Sequence, residues 1–342
     1  MRTLVSIQKV TDLQPIPGAD SIEVAQVLGW HVVVKKGEFQ PGDLAIYFEI
    51  DALLPQVPAF DFLAKNGTKK TDVGGSIVEG YRLRTIKLRG QISQGLCLPL
   101  STFPAITDPT EGQDVTELLG VVKYEPILPA TLGQAKGLFP SFIPKTDEIR
   151  IQSVPEILAK YAGTPVYITE KLDGSSCTAY VEDGVLNVCS RTINWLEGSE
   201  NTFWVAIKAC GLASKADRLG TIALQGEVVG GKIQGNKLGI GTRIYFFSAY
   251  EYQAGRYLDH DAFVKLCADL EVETVPLLDT YRLPADWGVD GWVDYATRRS
   301  QLNPKVWAEG VVVRSIQEIN EPLLGGRMSF KAINPEFLLK ED

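Results

Sequence analysis

Histidine is almost missing from this chain of 342 residues: His31 and His260 are the only two, and most of the sequence lies between them. Imidazole triads and histidine-rich zinc sites are thereby disfavoured, and chemistry has to rest on Lys, Asp, Glu or Arg. The five cysteines, Cys97, Cys177, Cys189, Cys210 and Cys267, include no Cys-x-x-Cys pair. No signal peptide and no apolar run of membrane-spanning length is legible, so a reducing cytoplasm and no membrane are expected. Long disordered or low-complexity tracts are lacking too, since 45% apolar and 22% charged residues are ordinary values for a folded protein.

What is present suffices for two domains, because 342 residues exceed one typical domain. The net charge of -8 argues against a polyanionic partner, yet the charge is uneven. Over 65–89, seven bases (Lys65, Lys69, Lys70, Arg82, Arg84, Lys87 and Arg89) meet only Asp72 and Glu79. Such a basic arm on an acidic protein can meet phosphates, and a solvated hairpin accounts for it equally well.

Residues 1–120 read as all-β, with apolar or alternating runs over 3–7, 22–27, 31–34, 44–49, 81–88 and 91–98. Pro17-Gly18, Pro41-Gly42, Gly74-Gly75 and Gly90 divide them. Short strands at that spacing predict a small barrel of the oligonucleotide-binding (OB) type, its basic stretch on a long hairpin or loop near the binding face. Trp30, Tyr47, Phe48 and Tyr81 are candidates to stack on bases, although the core is the commoner fate of such aromatics. Enrichment in Pro and Gly over 121–145, including Pro126, Pro129 and Gly133, marks a linker. Residues 146–342 then read as a mixed α+β domain, so the fold class is α+β with an OB-like barrel first. A helix that Pro155 enters or interrupts is expected over 149–161, with Thr146 or Asp147 suited to cap it. Strands are expected over 176–182, 185–190, 222–229, 244–252, 311–314 and 327–332, and helices over 201–210 and 261–270.

The stretch with the most chemical content is Thr169-Glu170-Lys171-Leu172-Asp173-Gly174-Ser175-Ser176. Val166-Tyr167-Ile168-Thr169 reads as a buried strand and Asp173-Gly174 as a turn, which places Lys171 where a strand stops. A partly buried ammonium with few carboxylate partners loses proton affinity and becomes a nucleophilic amine. A surface lysine opening a hairpin is the plainer reading of Lys-x-Asp-Gly alone. Later stretches change that balance. Ser190-Arg191 ends the second strand of a hairpin that follows the lysine, which suits Arg191 to phosphate. Glu227 lies on a strand just before Gly230-Gly231 and suits a ribose hydroxyl, while Tyr245-Phe246-Phe247 offers a flat face to a purine. Glu309-Gly310-Val311-Val312-Val313-Arg314 and Arg327-Met328-Ser329-Phe330-Lys331 add a second carboxylate and a late lysine.

In this order the elements resemble the collinear motifs of the covalent nucleotidyltransferases, the superfamily of RNA ligases, DNA ligases and capping enzymes. The likeness covers essentially the whole second domain. DNA ligases and capping enzymes usually carry their OB barrel after that domain, whereas here it precedes. That order, with Trp30-His31-Val32-Val33-Val34-Lys35-Lys36-Gly37-Glu38 and Lys87-Leu88-Arg89-Gly90-Gln91-Ile92-Ser93-Gln94-Gly95-Leu96, looks like the ATP-dependent RNA ligases with an N-terminal barrel, RNA ligase family 5. The resemblance implies an adenylyltransferase domain over 146–342 in which Lys171 attacks the α-phosphorus of ATP. AMP then passes to an RNA 5'-phosphate and a 3'-hydroxyl displaces it, in RNA repair.

The same resemblance implies nucleotide-binding roles for Glu170 through its backbone, Asp173, Arg191, Glu227 on the ribose, Phe247 on adenine, Glu309 and Lys331. It implies Mg2+ or Mn2+ held by phosphates and water with Glu309. RNA ends in a duplex or nicked context would meet Lys87 and Arg89. The chain departs from the pattern at Ser329, where many members carry the first lysine of a Lys-x-Lys pair, with Arg327 as the candidate substitute. It departs again at Arg314, where lysine is commoner. A GTP-using capping enzyme, a DNA ligase and a non-catalytic nucleic-acid-binding protein are the competing readings.

Overall fold

The computed structural model describes residues 3–125, 134–198 and 200–339. Pro126, Pro129 and Gly133 of the expected linker lie outside the described residues, as do residues 1–2 and 340–342 of the expected domains. The chain divides into two compact units, Met1–Pro129 with Leu338–Asp342, and Ala130–Phe337.

Strands of the first unit are β1 (Val5–Pro15), β2 (Ile22–Val27), β3 (Trp30–Lys35), β4 (Leu44–Phe48), β5 (Ala52–Leu54), β6 (Lys69–Val73), β7 (Ser76–Arg82), β8 (Thr85–Leu88), β9 (Gln91–Gln94), β10 (Leu96–Pro99) and β11 (Val122–Lys123). They form sheets ordered β10-β4-β1-β2-β3 and β11-β5-β7-β6, with β8-β9 as a hairpin of its own. Long β1 provides the curvature: its first half pairs with β4 and its second with β2, and a bulge between Val10 and Asp12 divides the two. Trp30, Tyr47, Phe48 and Tyr81 are all buried in this unit's core. None is open to stack on a base, because a barrel this small is filled by its own large side chains. The run over 91–98 breaks at Gly95, where φ is 107° and an added Cβ would lie 2.6 Å from Phe48 O.

The basic stretch becomes two hairpins, β6–β7 turning at Gly74-Gly75 and β8–β9 turning at Arg89-Gly90. Arg89 and Gly90 both have positive φ, 51° and 87°, the type I′ geometry that matches strand twist.

In the second unit the strands are β12 (Ala135–Leu138), β13 (Ile149–Arg150), β14 (Pro165–Lys171), β15 (Ser175–Glu182), β16 (Val185–Cys189), β17 (Ile193–Trp195), β18 (Ile222–Val229), β19 (Arg243–Glu251), β20 (Arg256–Tyr257), β21 (Leu277–Arg282), β22 (Gly310–Ser315) and β23 (Ser329–Ile333). Its α-helices are α1 (Glu156–Lys160), α2 (Thr202–Ala209), α3 (His260–Leu270), α4 (Val289–Ala296) and α5 (Pro335–Leu338). Of the helix expected over 149–161 only α1, which follows Pro155, is α-helical, and before it β13 pairs in parallel with β23. Pro155 is the reason, since it lacks an N–H and drives Val154 out of the helical region, to φ -141° and ψ 56°.

Two sheets result, ordered β12-β17-β16-β15-β18-β19-β20 and β13-β23-β22-β14-β21. Alternation gives each strand two faces. Cys177, Ala179, Leu224 and Phe246 pack against α2 and α3 on one sheet. On the other, Val166, Ile168, Val311, Val313 and Phe330 pack against Trp292 of α4 and Ile157 of α1. At roughly 1.5–3 kcal/mol per fully buried large apolar side chain, these layers hold the sheets in place. The intervening residues, Thr169, Lys171, Val312, Arg314 and Lys331 on one sheet and Ser176 and Glu227 on the other, are turned to the opposite faces.

Candidate active site

β14 and β15 belong to different sheets, so Leu172-Asp173-Gly174 is a crossover between sheets and not the hairpin turn that Asp-Gly suggests. Lys171, the last residue of β14, therefore stands where the sheets meet. Gly174 has to be glycine, because a Cβ would meet Val228 O at 2.4 Å and Glu227 Cγ at 2.8 Å. Gly310, facing Lys171 across β22, is equally crowded: its Cβ would lie 2.2 Å from Ala332 O.

Lys171 Nζ donates to both carboxylate oxygens of Glu309 at 2.7 Å. Burial works against its charge, but Glu309, Glu227 and Asp173 outweigh burial and raise its pKa above the ordinary lysine value. The expectation of an ammonium with few carboxylate partners is thus corrected. Three acids converge on it from the crossover, from β18 and from the residue before β22, and Glu309 is 138 residues away in the chain. Burial pushes the Glu227 carboxyl up to about 8; Lys171 opposes this, while Glu309, Asp173 and Glu148 add to it. Asp173 is raised by burial and by Glu309, against the pull of Lys237, which pairs with it at 3.1 Å.

A bulge shifts the β18–β19 register: Gln225 faces Ser248 and Gly226 faces Phe246, which leaves Phe247 between them. Phe246 lies in the core beneath the helices. Phe247 is half-buried against the apolar cluster that includes Leu172, Leu238 and Val275, with the Arg314 guanidinium 5.3 Å from its ring centroid. Of the two phenylalanines, Phe247 is the one open to the cleft.

Arg191 and Lys331, from different sheets, converge on one carboxylate. Asp147 accepts from Arg191 Nη2 and from Lys331 Nζ, both at 3.1 Å. The next residue, Glu148, pairs with buried Arg314 and accepts from Ser329 Oγ at 3.4 Å. Burial alone would raise Glu148, but Arg314, Lys331 and Arg327 outweigh it and hold the carboxyl at about 2. Sequence reasoning took Asp147 for a helix cap and passed over Glu148. No signal in the sequence marks them: they reach the cleft because they stand just before β13, which pairs with the strand bearing Lys331.

Glu170 alternates away from Lys171, and its carboxylate accepts from the Gln301 N–H at 2.7 Å. Only its backbone is left for any contact in the cleft. Arg327 is engaged with Glu318 and lies 4.0 Å over the Tyr257 ring. The residue across from Ser329 is Arg314. A cavity of about 770 Å³ adjoins Asp147, Glu148 and Ser329. Lys87 and Arg89 belong to the other unit, where both are exposed at the tip of the β8–β9 hairpin. Arg82, by contrast, is committed to Asp51 at 2.8 Å.

Among the described residues no three His, Cys, Asp or Glu are grouped as a metal cage. The oxygen donors of Glu309 and Asp173 suit a hydrated Mg2+ or Mn2+ held mainly by other ligands. Among the described residues no helix is long and apolar enough to cross a membrane.

A family model described as an OB-fold domain matches residues 4–100, and one described as RNA ligase matches residues 164–333. No curated protein matches the chain. Among solved structures, the Naegleria gruberi RNA ligase with pyrophosphate is 37% identical, covering 99% of each chain at a TM-score of 0.87. A Lys-to-Met variant of that ligase with AMP and Mn gives the same identity, coverage and TM-score, 37%, 99% of each chain and 0.87. A Lys-to-Ala variant with ATP and Mn is 36% identical over 99% of this chain and 98% of that one, with a TM-score of 0.85. Likeness at this identity over nearly the full length of both chains goes beyond shared fold: the chain belongs to the RNA ligase family.

Proposed function

We propose that this RNA ligase joins an RNA 3'-hydroxyl to a 5'-phosphate, using ATP and a covalent AMP carried on Lys171. The observation that supports this best is the placement of Lys171 at the sheet crossover, ringed by Glu309, Glu227 and Asp173. Adenine stacks on Phe247 and meets the backbone at Glu170, Glu227 takes the ribose, and the phosphates lie along Lys331 and Arg191. Nζ of Lys171 forms a bond to the α-phosphorus while the bond to the pyrophosphate oxygen breaks. Before that, the ammonium has to leave Glu309 and lose a proton. Glu309 would help to hold Mg2+ or Mn2+ together with phosphate oxygens and water, and the ion would supply positive charge that competes with Lys171 for that carboxylate. AMP then moves to the RNA 5'-phosphate, and the 3'-hydroxyl displaces it.

Residues 1–120 act as the RNA-binding domain and 146–342 as the adenylyltransferase domain; of the segment 121–145 between them, β11 pairs into the first unit's sheet and β12 into the second's. Lys87 and Arg89 neutralise phosphates of a duplex or nicked RNA. All five cysteines are free thiols, which agrees with a cytoplasmic setting, and the role we propose is RNA repair. The test is sealing of a nicked duplex with either RNA or DNA at the 3'-hydroxyl, given ATP or GTP. Joining of RNA with ATP, with release of AMP, is expected. Equal use of GTP, or preference for DNA ends, favours the capping-enzyme or DNA-ligase reading.

A further inference from the structure

The cations assigned above to phosphate already hold an anion. Asp147 bridges Arg191 Nη2 of one sheet and Lys331 Nζ of the other, at 3.1 Å each, much as two oxygens of one phosphate would. We infer that Asp147 is a built-in phosphate mimic, a competitor that ATP displaces from Lys331 and Arg191 and that thereby sets the affinity for nucleotide. Its identification with ATP rests on the proposed function.

The segment around Asp147 is anchored without it. Gln225 Nε2 donates to Pro144 O at 2.9 Å, and Thr146 Oγ1 lies 3.0 Å from Ser176 Oγ. Glu148 is fixed on the other side by buried Arg314. Only the Asp147 side chain, 32% exposed, has an alternative. It lines the cavity of about 770 Å³ beyond the cleft, so its carboxylate can turn to water when phosphate takes the cations. Competition and charge repulsion act with the same sign. Exposed ion pairs are weak, so the effect is several-fold and not of many orders.

The test is Asp147→Asn, with thermal unfolding as a check on folding and Asp147→Ser as a second variant. The KM for ATP in Lys171 adduct formation should fall about three- to tenfold, with the rate at saturating ATP changed less than about twofold. Asp147→Glu, which keeps the charge, should retain the wild-type KM. Inorganic pyrophosphate, titrated by calorimetry, should bind the Asn variant tighter by a similar factor. A higher KM or a lower saturated rate would mean that Asp147 orients the two cations in the complex, and overturns the inference. An unchanged KM together with unchanged pyrophosphate affinity overturns it as well. Tighter pyrophosphate binding by a protein that forms no adduct would support the mimic while sinking the proposed reaction.

Discussion

Glu227 is the residue where charge and burial conflict most openly. Its carboxyl, ordinarily near 4.5, is pushed up to about 8 in the folded chain, by burial first and by Glu309 and Asp173. Between those values the folded chain binds more protons than the unfolded one, so stability falls as pH rises. This residue's contribution is complete below about pH 4.5 and is lost as pH passes about 8. Glu227→Gln should therefore add about 1–3 kcal/mol at pH 8 and little at pH 5, read by urea unfolding at both. A variant that is less stable at pH 8 contradicts the account of its burial. Glu148 has the opposite sign: held at about 2, it stabilises above its ordinary pKa and loses this only as pH falls towards 2. A buried carboxyl with so displaced a pKa is the kind of local strain that active sites retain.

At the scale of elements, the β8–β9 hairpin offers Lys87 and Arg89 to a polyanion on a type I′ turn, with Arg89 in the left-handed region that Asn or Gly prefer. Replacing both with Ala should weaken RNA binding and lower the slope of log affinity against log salt by about 1–2. Filter binding across a salt series checks this, and covalent AMP formation should continue unaffected. Loss of the adduct would place these residues in the service of nucleotide chemistry instead. Strands such as β2, β15 and β18 were legible because alternation survives wherever one face is buried. β21 was not, because most of its residues are exposed and its run of Leu277 to Arg282 lacks alternation. α4 was missed as well: Gly291 and two valines give it poor helix propensity, and tertiary burial of Trp292 carries it. Register at the β19 bulge, which decides between Phe246 and Phe247, has no signature in one strand's own sequence.

For the molecule as a whole, an overall charge of -8 coexists with a basic hairpin in one unit and a carboxylate-rich cleft in the other. Net charge is a statement about the whole surface, and substrate recognition depends on its distribution. The order of motifs along the chain was enough to point to Lys171, Glu227, Phe247, Glu309 and Lys331 as candidates, and the fold brings Glu227 and Glu309 to Lys171; the roles of all five belong to the proposed function. Sequence could not show that Lys171 lies at a crossover between sheets, nor that Asp147 and Glu148 return to the cleft. Both follow from which strands become neighbours, a property of the sheet order.

The decisive measurement is incubation of the purified protein, freed of bound AMP, with α-labelled ATP and Mg2+ or Mn2+, followed by denaturing electrophoresis of wild type and Lys171→Ala. An acid-labile labelled band on the wild type, absent from a folded Lys171→Ala variant, is the expected result. Label retained by the variant, or none on the folded wild type, would contradict the assignment of Lys171 as the nucleophile.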